Sequence, residues 1–411
     1  MIANCANAIV HSAPLFELSD YLSDFMARYP EELSTLAQIH SNQPEPIGAR
    51  LFEVPTSISE TMFDDSVWEE TDAVFEYIVS SATDHGEKVA LLRRHFRHLV
   101  FASGARDVME QRAIYPALAE TTTAGEHAIS AAFRIAGAPR GLAVLALGRL
   151  GTREFDLLSD ADLLFVGDDS ENREALTKLV EEVMQVLAAY TQEGLVFPVD
   201  TRLRPRGAEG ELVVTPVQLE SYFADEAQPW EALTYTKLRV VAGNAELGNR
   251  AGKISEGLFQ RFAADSNFPK AVRDMRQKLQ NASAPAKSIR TSAGALYDID
   301  FLSGFLLVKH GVRPKIGTLR DRLWKCAGAG VLGKHEAATL DHAAEFFRTV
   351  EHVLRLVTGR NGRWLPSAEH ARGAIETLTS KILHREFADG LENELLRAFG
   401  QVREIYDSVV Q

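Results

Sequence analysis

Residues 142–166 read LAVLALGRLGTREFDLLSDADLLFV, and this stretch decides the fold that we expect. It opens with a short continuous apolar run, Leu142–Gly148, of the kind that buried strands show. A glycine-bearing connection follows, and Asp162–Val166 is a second apolar run of strand length. Two strands joined in this way predict the beginning of a small sheet.

Two more strands are expected after this pair. Arg173–Tyr190 has apolar residues three and four apart, which is typical of a helix, and Gly194 ends that pattern. Leu195–Pro205 then reads as a third strand, in which Pro198 indicates an edge or a bulge. Glu211–Thr215 is a candidate for the fourth strand.

Helical patterns flank the sheet on both sides. The chain up to Ile135 reads as successive helices, with a break at Thr121–Thr123 and a new helix over Glu126–Ile135. From Pro216 onward it is almost wholly helical and includes one long helix over His335–Arg360. We therefore predict an α+β fold with a small mixed sheet between two helical regions. The expected domains are residues 1–115, 116–245 and 246–411.

The composition predicts a soluble globular protein of two or three domains. The chain has 411 residues, 45% of them hydrophobic and 25% charged, and it contains no run of 18 apolar residues. Cys5 and Cys326 are too few for a disulfide framework or a zinc site. The N-terminus lacks the basic segment of a signal peptide, so we expect a cytoplasmic location and no membrane partner.

The net charge of −13 argues against nucleic acid as the partner, because phosphate backbones attract clustered Lys and Arg. One local cluster is basic, and it lies opposite the apolar stripe of a predicted helix over Glu87–Phe101. We expect a solvated helix face there. The members of the cluster are Arg93, Arg94, His95, Arg97 and His98.

Two acids at the start of the second strand are the first candidate site residues. Asp160 and Asp162 are two apart, so their side chains leave the same face of a strand. Two carboxylates so close repel each other unless a cation lies between them, and oxygen ligands favour Mg²⁺, with Mn²⁺ as the alternative. A second such pair, Asp298 and Asp300, falls on a predicted helix, where residues two apart do not face each other.

A third acid, Asp200, lies within the third predicted strand. Either it joins Asp160 and Asp162 in a shared metal cluster, which we favour, or it forms a salt bridge with Arg202 or Arg204. Three carboxylates holding two metal ions suit nucleotidyl transfer. Three nearby features fit phosphate binding: a loop with exposed N–H groups, a hydroxyl, and two planar cations. They are Gly148 with Gly151, Ser159, and Arg202 with Arg204.

The order of several motifs resembles that of one family, the glutamine synthetase adenylyltransferases and deadenylylases. These belong to the DNA polymerase β-type nucleotidyltransferases. The motifs are ALGRLGTREFDLLSDADLLF, VDTRLRPRGAEGELVVT, SYFADEAQPWEALTYTKLRVVAGN and YDIDFL, and the resemblance covers residues 115–310 most strongly.

The resemblance implies that Asp160, Asp162 and Asp200 bind the metals and that the glycine loop and Ser159 contact a triphosphate. The remaining motif positions, with roles that the resemblance leaves open, are Arg202, Arg204, Trp230, Glu231, Lys237 and Arg239. Of these, we assign Arg202, Arg204, Lys237 and Arg239 to the nucleotide site. Members of the family attach AMP from ATP to a tyrosine of glutamine synthetase or remove it by phosphorolysis, usually under a PII-type signal protein.

The chain also departs from the family pattern. Members normally carry two catalytic halves, and the motifs here correspond to a single half. Asp300 stands where a glutamate is usual, Gly304 where a glutamine is, and Leu158 where a serine is common. Two alternatives therefore remain beside the transferase: a regulatory module that binds without turnover, and a nucleotidyltransferase with another acceptor, such as a protein uridylyltransferase.

Overall fold

The structure is a computed structural model that describes residues 12–41, 72–81, 83–283, 285–313 and 317–411. Cys5 and part of the predicted domain 1–115 lie outside these residues. The other cysteine, Cys326, is a buried core residue with a free thiol. The architecture is a small mixed sheet between helical regions, so the predicted α+β fold is confirmed.

Helices precede the sheet along the chain. The longest of them starts at a side-chain cap, because the Asp84 carboxylate accepts a hydrogen bond from the backbone N–H of Glu87 at 2.9 Å. A 3₁₀ turn, Pro30–Glu32, joins the second and third helices. The bounds are α1 Ala13–Leu18, α2 Asp20–Arg28, α3 Leu33–Ser41, α4 Ala73–Ser80, α5 His85–Glu110 and α6 Ile114–Ile135.

The described residues form a five-stranded sheet interrupted by short helices. The central strands are the two predicted first. Each of these two strands is followed by a helix. The bounds of the strands and helices in this part of the chain are β1 Leu142–Ala146, α7 Gly148–Gly151, β2 Ala161–Gly167, α8 Arg173–Ala188, β3 Val199–Asp200, β4 Val213–Val214, α9 Pro216–Asp225, α10 Pro229–Tyr235 and β5 Arg239–Gly243. β1 pairs antiparallel with β2 and with β5. β3 and β4 both pair parallel with β2, at opposite ends of its outer edge.

The remainder of the chain is helical. The bounds are α11 Ala245–Ala264, α12 Phe268–Ser283, α13 Leu296–Lys309, α14 Leu319–Gly328, α15 Lys334–Thr358, α16 Glu369–Leu383 and α17 Leu391–Val409. α15 ends where Gly359 adopts the left-handed conformation. Across the described ranges, none of these helices combines the length and apolarity that crossing a bilayer requires.

The sheet separates two apolar cores, because successive side chains of a strand point to opposite faces. Leu145 of β1 and Leu164 of β2 face a core that also contains Leu15 of α1 and Val410 beyond α17. Val144 and Phe165 of the same strands belong to a second core, which α4, α5, α6 and α8 share. Burying a side chain of this size contributes about 1.5–3 kcal/mol. Packing on both faces therefore holds β1 and β2 in place.

Three expectations about secondary structure are wrong. Thr121–Thr123 does not break a helix: α6 continues through these residues, and each threonine hydroxyl donates to a carbonyl four residues earlier. The third strand is two residues long, since the chain turns immediately after Asp200. β5 lies in a region that we predicted to be almost wholly helical, with no strand named there.

The basic cluster of α5 is not a solvated face. The Arg93 guanidinium is buried and donates to the carbonyl oxygens of Gln185 and Val186 at the end of α8. His95 and His98 are buried as well, beside Asp72 and Glu32 respectively. A helix end needs donors for its last carbonyl groups, and Arg93 supplies them to α8. The expectation of exposure is therefore wrong for these three residues.

Candidate active site

The start of β2 and the end of β3 bring acidic residues to one edge of the sheet. The parallel register pairs Asp162 with Asp200. Asp160 lies two residues before Asp162, just ahead of the strand, and is exposed. Residues from two distant places in the sequence therefore meet at one edge.

Asp162 is the most perturbed of these acids. Burial raises its pKa, and the neighbouring charges of Asp160 and Asp200 raise it further, to about 7. No described residue donates a hydrogen bond to its carboxylate, although Lys237 and Arg202 lie near enough to oppose the shift. A half-buried anion without a donor among the described residues is costly, so this position favours either a proton or a cation.

The turn after β1 lies directly against Asp162. Gly148 has φ +53°, and a Cβ atom there would overlap the Oδ2 atom of Asp162. A Cβ atom at Gly151 would overlap the carbonyl oxygen of Lys237. Only glycine fits at these two positions, because a side chain would collide at both and be strained at the first. The predicted loop is thus a single helical turn, packed tightly on the acidic edge.

Asp200 is engaged with Arg202. Its Oδ1 atom accepts the backbone N–H of Arg202 at 2.8 Å, and its Oδ2 atom accepts the guanidinium Nε at 2.9 Å. The hydrogen bond from Arg202 lowers the pKa of Asp200. The salt bridge that we set against a metal cluster is therefore present. It is held by an arginine whose side chain is 75% exposed.

Arg204 and Ser159 differ in what their polar atoms contact. The Arg204 guanidinium donates to the carbonyl oxygens of Thr201, Ala208 and Gly210, at 2.9–3.0 Å. It therefore holds the loop after β3 in shape. The Ser159 hydroxyl is buried and has no hydrogen-bond partner among the described residues.

Lys237 lies beside the acidic edge. Its Nζ atom is 2.5 Å from the Oδ2 atom of Asp300, which is on α13. Burial opposes ionisation of Asp300, but the charges of Lys237, Arg322 and Arg348, with the hydrogen bond from Lys237, together outweigh it and lower the pKa. The second Asp-x-Asp pair thus contributes one acid to this region, through Lys237, while Asp298 is buried in a separate ion pair with Arg276.

Arg239 lies behind the glycine turn. Its guanidinium pairs with Glu126 of α6 and donates to the carbonyl oxygens of Leu150 and Gly151, at 2.8 and 3.4 Å. The residue is 8% exposed. These contacts support the turn from below, so the Arg239 guanidinium is engaged with the turn and with Glu126.

The motif residues Trp230 and Glu231 begin α10. Glu231 is buried and accepts hydrogen bonds from the Gln228 backbone N–H at 2.7 Å and the Tyr222 hydroxyl at 2.9 Å. Burial raises its pKa. Trp230 is half-buried in the first turn of this helix. Both residues are placed to shape the helix start.

Sequence reasoning missed a buried ionic cluster behind the site. Arg149, in the glycine turn, lies 3.4 Å from Asp156 and 3.6 Å from Glu351 of α15. Glu154 is fully buried and lies 2.6 Å from Arg348. The one available signal was the presence of two acids, Glu154 and Asp156, beside the apolar residues of the stretch TREFDLL, which periodicity alone does not interpret.

The residue types at the acidic edge suit a divalent cation, but the carboxylates do not point to one common position. Within the residues that the structure describes, no three His, Cys, Asp or Glu side chains are grouped so that they could hold a metal ion. The carboxylate of Asp200 is turned to Arg202, while Asp162 accepts no hydrogen bond from the part of the chain that the structure describes. Rotation of Asp200 away from an exposed arginine would complete an all-oxygen set, as Mg²⁺ prefers.

A shallow cavity of about 300 Å³ lies at the opposite end of β2. It includes Gly167, Asp168 and Arg173. Six residues of strand separate Gly167 from Ala161, which is about 20 Å. This cavity is therefore not part of the acidic edge.

Comparisons with known proteins divide the chain in two. Residues 10–254 match the family model of glutamate-ammonia ligase adenylyltransferase. Residues 269–410 match the model of GlnD PII-uridylyltransferase. The acidic edge, the glycine turn and all ten predicted site residues fall in the first segment.

Curated relatives are named bifunctional glutamine synthetase adenylyltransferase/adenylyl-removing enzyme. The Streptomyces avermitilis protein is 32% identical over 295 residues, 67% of this chain and 29% of the relative. The Pseudomonas putida protein is 32% identical over 57% of this chain and 26% of the relative. The Mycobacterium tuberculosis protein is 30% identical over 69% of this chain and 30% of the relative. The chain thus spans less than a third of the length of these relatives.

Proposed function

The chain belongs to the glutamate-ammonia ligase adenylyltransferase family, and from this premise we propose that it transfers AMP from ATP to glutamine synthetase or removes it by phosphorolysis. The resemblance inferred from its motifs is confirmed by the match over residues 10–254. The observation that supports the activity best is the pairing of Asp162 with Asp200 next to the Gly148 turn.

Asp160, Asp162 and Asp200 would hold Mg²⁺, with Mn²⁺ as the alternative. When bound, the cations neutralise the triphosphate and the leaving group. The raised pKa of Asp162 supports this assignment, because a buried carboxylate without a donor is stabilised by a cation. The proposal requires all three carboxylates to be ionised.

The glycine turn and Ser159 would contact the triphosphate. Because Gly148 and Gly151 lack side chains, the turn packs directly against Asp162 and the Lys237 backbone, so a phosphate held at the acidic edge would lie close to the backbone of the turn. The Ser159 hydroxyl is a buried donor without a partner among the described residues, and a phosphate oxygen would satisfy it.

Arg202 is the cation best placed to change partners. It is exposed and paired with Asp200 by hydrogen bonds within a turn, so exchange of that carboxylate for a phosphate costs little. Lys237 has a similar choice between Asp300 and an anionic ligand. Arg204 and Arg239 are already engaged by loop carbonyl groups, and we assign them to positioning.

The biological setting is part of the same proposal. We assign the acceptor as a tyrosine of glutamine synthetase, the regulator as a PII-type signal protein and the location as the cytoplasm. We also keep the three domains 1–115, 116–245 and 246–411. The names of the relatives support the acceptor. The match of residues 269–410 to a PII-uridylyltransferase model supports a link to PII-type proteins.

Uridylyl transfer to a protein is the second candidate, and this same match favours it. It is the weaker one, because the segment that carries the acids and the glycine turn matches the adenylyltransferase model. Donor preference separates the two candidates. Equal incorporation from UTP and ATP would count against the adenylyl assignment.

The decisive assay supplies labelled ATP, Mg²⁺ and the cognate glutamine synthetase, followed by inorganic phosphate on the modified product. Label on glutamine synthetase, or its phosphate-dependent release, is the expected result. Asp160→Asn and Asp162→Asn should abolish both. Asp168→Asn is the matched control, since it makes the same change at the far end of β2. Nucleotide binding without transfer in either direction would instead identify a regulatory module.

A further inference from the structure

The loop that carries Ser159 and Asp160 is anchored from behind. Residues 154–157 are all buried, and two of them are the acids Glu154 and Asp156. Burying a charge is costly unless it is paired, so the partners of these acids determine whether the loop can keep its path. Those partners come from helices outside the sheet.

Asp156 is paired with α15. Its Oδ1 atom lies 2.6 Å from the Nδ1 atom of His352, and its Oδ2 atom pairs with Arg355. Arg149 of the glycine turn is a further partner, at 3.4 Å. These cations outweigh burial and hold the pKa of the Asp156 carboxyl below its ordinary value.

His352 bridges two carboxylates. While Nδ1 faces Asp156, Nε2 lies 3.0 Å from the Oδ2 atom of Asp107 on α5. Both ring nitrogens can donate only when the imidazole is protonated. Burial opposes protonation, but the charge of Asp156 and the hydrogen bonds that the ring donates to both acids raise the pKa of His352 to about 9. The ring is therefore a buried cation that joins α5, α15 and the loop.

Glu154 forms the second anchor. Its Oε1 atom accepts the backbone N–H of Leu319, at the start of α14, at 2.5 Å. Its carbonyl oxygen accepts the Nε atom of Arg149 at 3.0 Å. Two residues of α15 complete this group of ion pairs. Arg348 pairs with Glu154, Glu351 pairs with Arg149, and Arg348 and Glu351 also pair with each other. Glu154 therefore holds the first half of the loop, the part that precedes Asp156.

The second half of the loop depends on Asp156. Leu158 has φ +56°, a conformation that is strained for a residue with a side chain. The next residue, Ser159, is held by a backbone hydrogen bond, because its N–H donates to the carbonyl oxygen of Asp156 at 3.1 Å. A strained residue keeps its conformation only when the surrounding contacts impose it. The contacts of Asp156 are the nearest that do so.

We propose that His352 is a positioning residue for the acidic edge: by holding Asp156 from α15 and Asp107, it fixes the loop that carries Ser159 and Asp160. This inference rests on the proposed transferase function for its catalytic consequence. Ligand side chains have to be held within about 0.5 Å of their working positions, so loosening this loop should slow the chemical step more than it weakens nucleotide binding.

The test compares His352→Gln with His98→Gln. His98 is also a buried histidine bonded to a carboxylate, Glu32, in contact with the N-terminal helices. For His352→Gln we expect kcat for AMP transfer to fall about 10- to 100-fold, as a misplaced ligand does, with less than a threefold change in the KM for ATP. Amide hydrogen exchange in residues 156–160 should rise at least tenfold. His98→Gln should change neither quantity.

Asp107→Asn is the gentler second variant, because it removes charge beyond the histidine and leaves the loop sequence intact. This variant should lower kcat and raise amide exchange in residues 156–160, each by a smaller factor than His352→Gln does. Wild-type kcat and wild-type exchange in residues 156–160 for His352→Gln would overturn the proposal. If the wild-type chain transfers no nucleotide, the proposed function fails, and the exchange comparison still decides whether His352 positions the loop.

Discussion

Asp162 and Asp200 stand opposite each other in the parallel register of β2 and β3, and the carboxylate of only one of them has a partner in the structure. Arg202 holds Asp200, whereas Asp162 accepts no hydrogen bond from the described residues. The edge is therefore electrostatically incomplete by itself. Two predictions follow from this asymmetry.

Asp162→Asn should stabilise the metal-free protein while it abolishes transfer. The pKa of Asp162 is raised from 3.8 to about 7, so its ionised form disfavours the folded state increasingly as pH rises through that window. We expect a gain of about 1–3 kcal/mol in urea unfolding at pH 8 with chelator, shrinking towards zero near pH 4. Asp168→Asn should give no such gain. An Asp162→Asn variant that is less stable at pH 8 would contradict the argument.

Arg202→Gln should strengthen binding of a divalent cation. The variant releases Asp200 and removes a positive charge from the edge. An exposed ion pair contributes at most about 1 kcal/mol, so we expect Mn²⁺ to bind about two- to fivefold more tightly in a titration. The control is Arg206→Gln, which breaks a similar exposed pair with Glu226. Weaker Mn²⁺ binding to Arg202→Gln would show that Asp200 does not compete between arginine and metal.

Gly148→Ala should cost about 1–3 kcal/mol of stability and most of the activity, because the new Cβ atom meets Asp162 and the backbone has positive φ. Denaturant unfolding and the transfer assay measure the two effects. Gly257→Ala is the contrasting change. Gly257 lies in α11 with open space around its Cα, so alanine should stabilise the protein by about 0.5–1 kcal/mol. Equal effects at the two positions would refute the steric explanation.

Leu158→Asn should stabilise the fold by about 0.5–1 kcal/mol, since asparagine tolerates the left-handed conformation better than leucine does. Leu396→Asn provides the comparison. The two leucines are 39% and 41% exposed, but Leu396 lies in α17, where asparagine is a poorer helix former. Thermal unfolding of both variants should therefore shift in opposite directions. A lower melting temperature for Leu158→Asn would mean that its apolar contacts matter more than strain.

The contribution of His352 should depend on pH in a defined direction. Its pKa is raised from 6.5 to about 9, so the stability that it supplies is complete below pH 6.5 and is lost as pH rises through 9. The difference in unfolding free energy between wild type and His352→Gln should shrink by about 2–3 kcal/mol from pH 6 to pH 10. A difference that stays constant over this range would exclude a buried imidazolium.

The central strands, the acidic segments and the fold class could be predicted because each rests on a local pattern. LAVLA is apolar at every position and DLLFV at every position after Asp162, and both faces of β1 and β2 are indeed covered. β5 was missed because Arg239–Gly243 follows a long helical pattern, and its pairing with β1 is a contact across about 100 residues of sequence.

Buried charge was the other limit. Arg93 follows the periodicity of a solvated helix face, yet its partners are carbonyl groups at the end of α8. His352 likewise lies in a long, largely buried helix, and its two acids come from α5 and from the loop before β2. A single sequence shows that such residues are polar. It does not show which distant group satisfies them.

The core on one face of the sheet has a consequence for how this protein can be divided. Leu15 of α1 and Val410 beyond α17 belong to the same apolar cluster as Leu145 and Leu164 of the central strands. Excising residues 116–245 would leave that face of the sheet uncovered in water, and a transplanted fragment would aggregate or collapse. A chimaera that is to keep the activity must therefore include the helical segments before and after the sheet together with the strands.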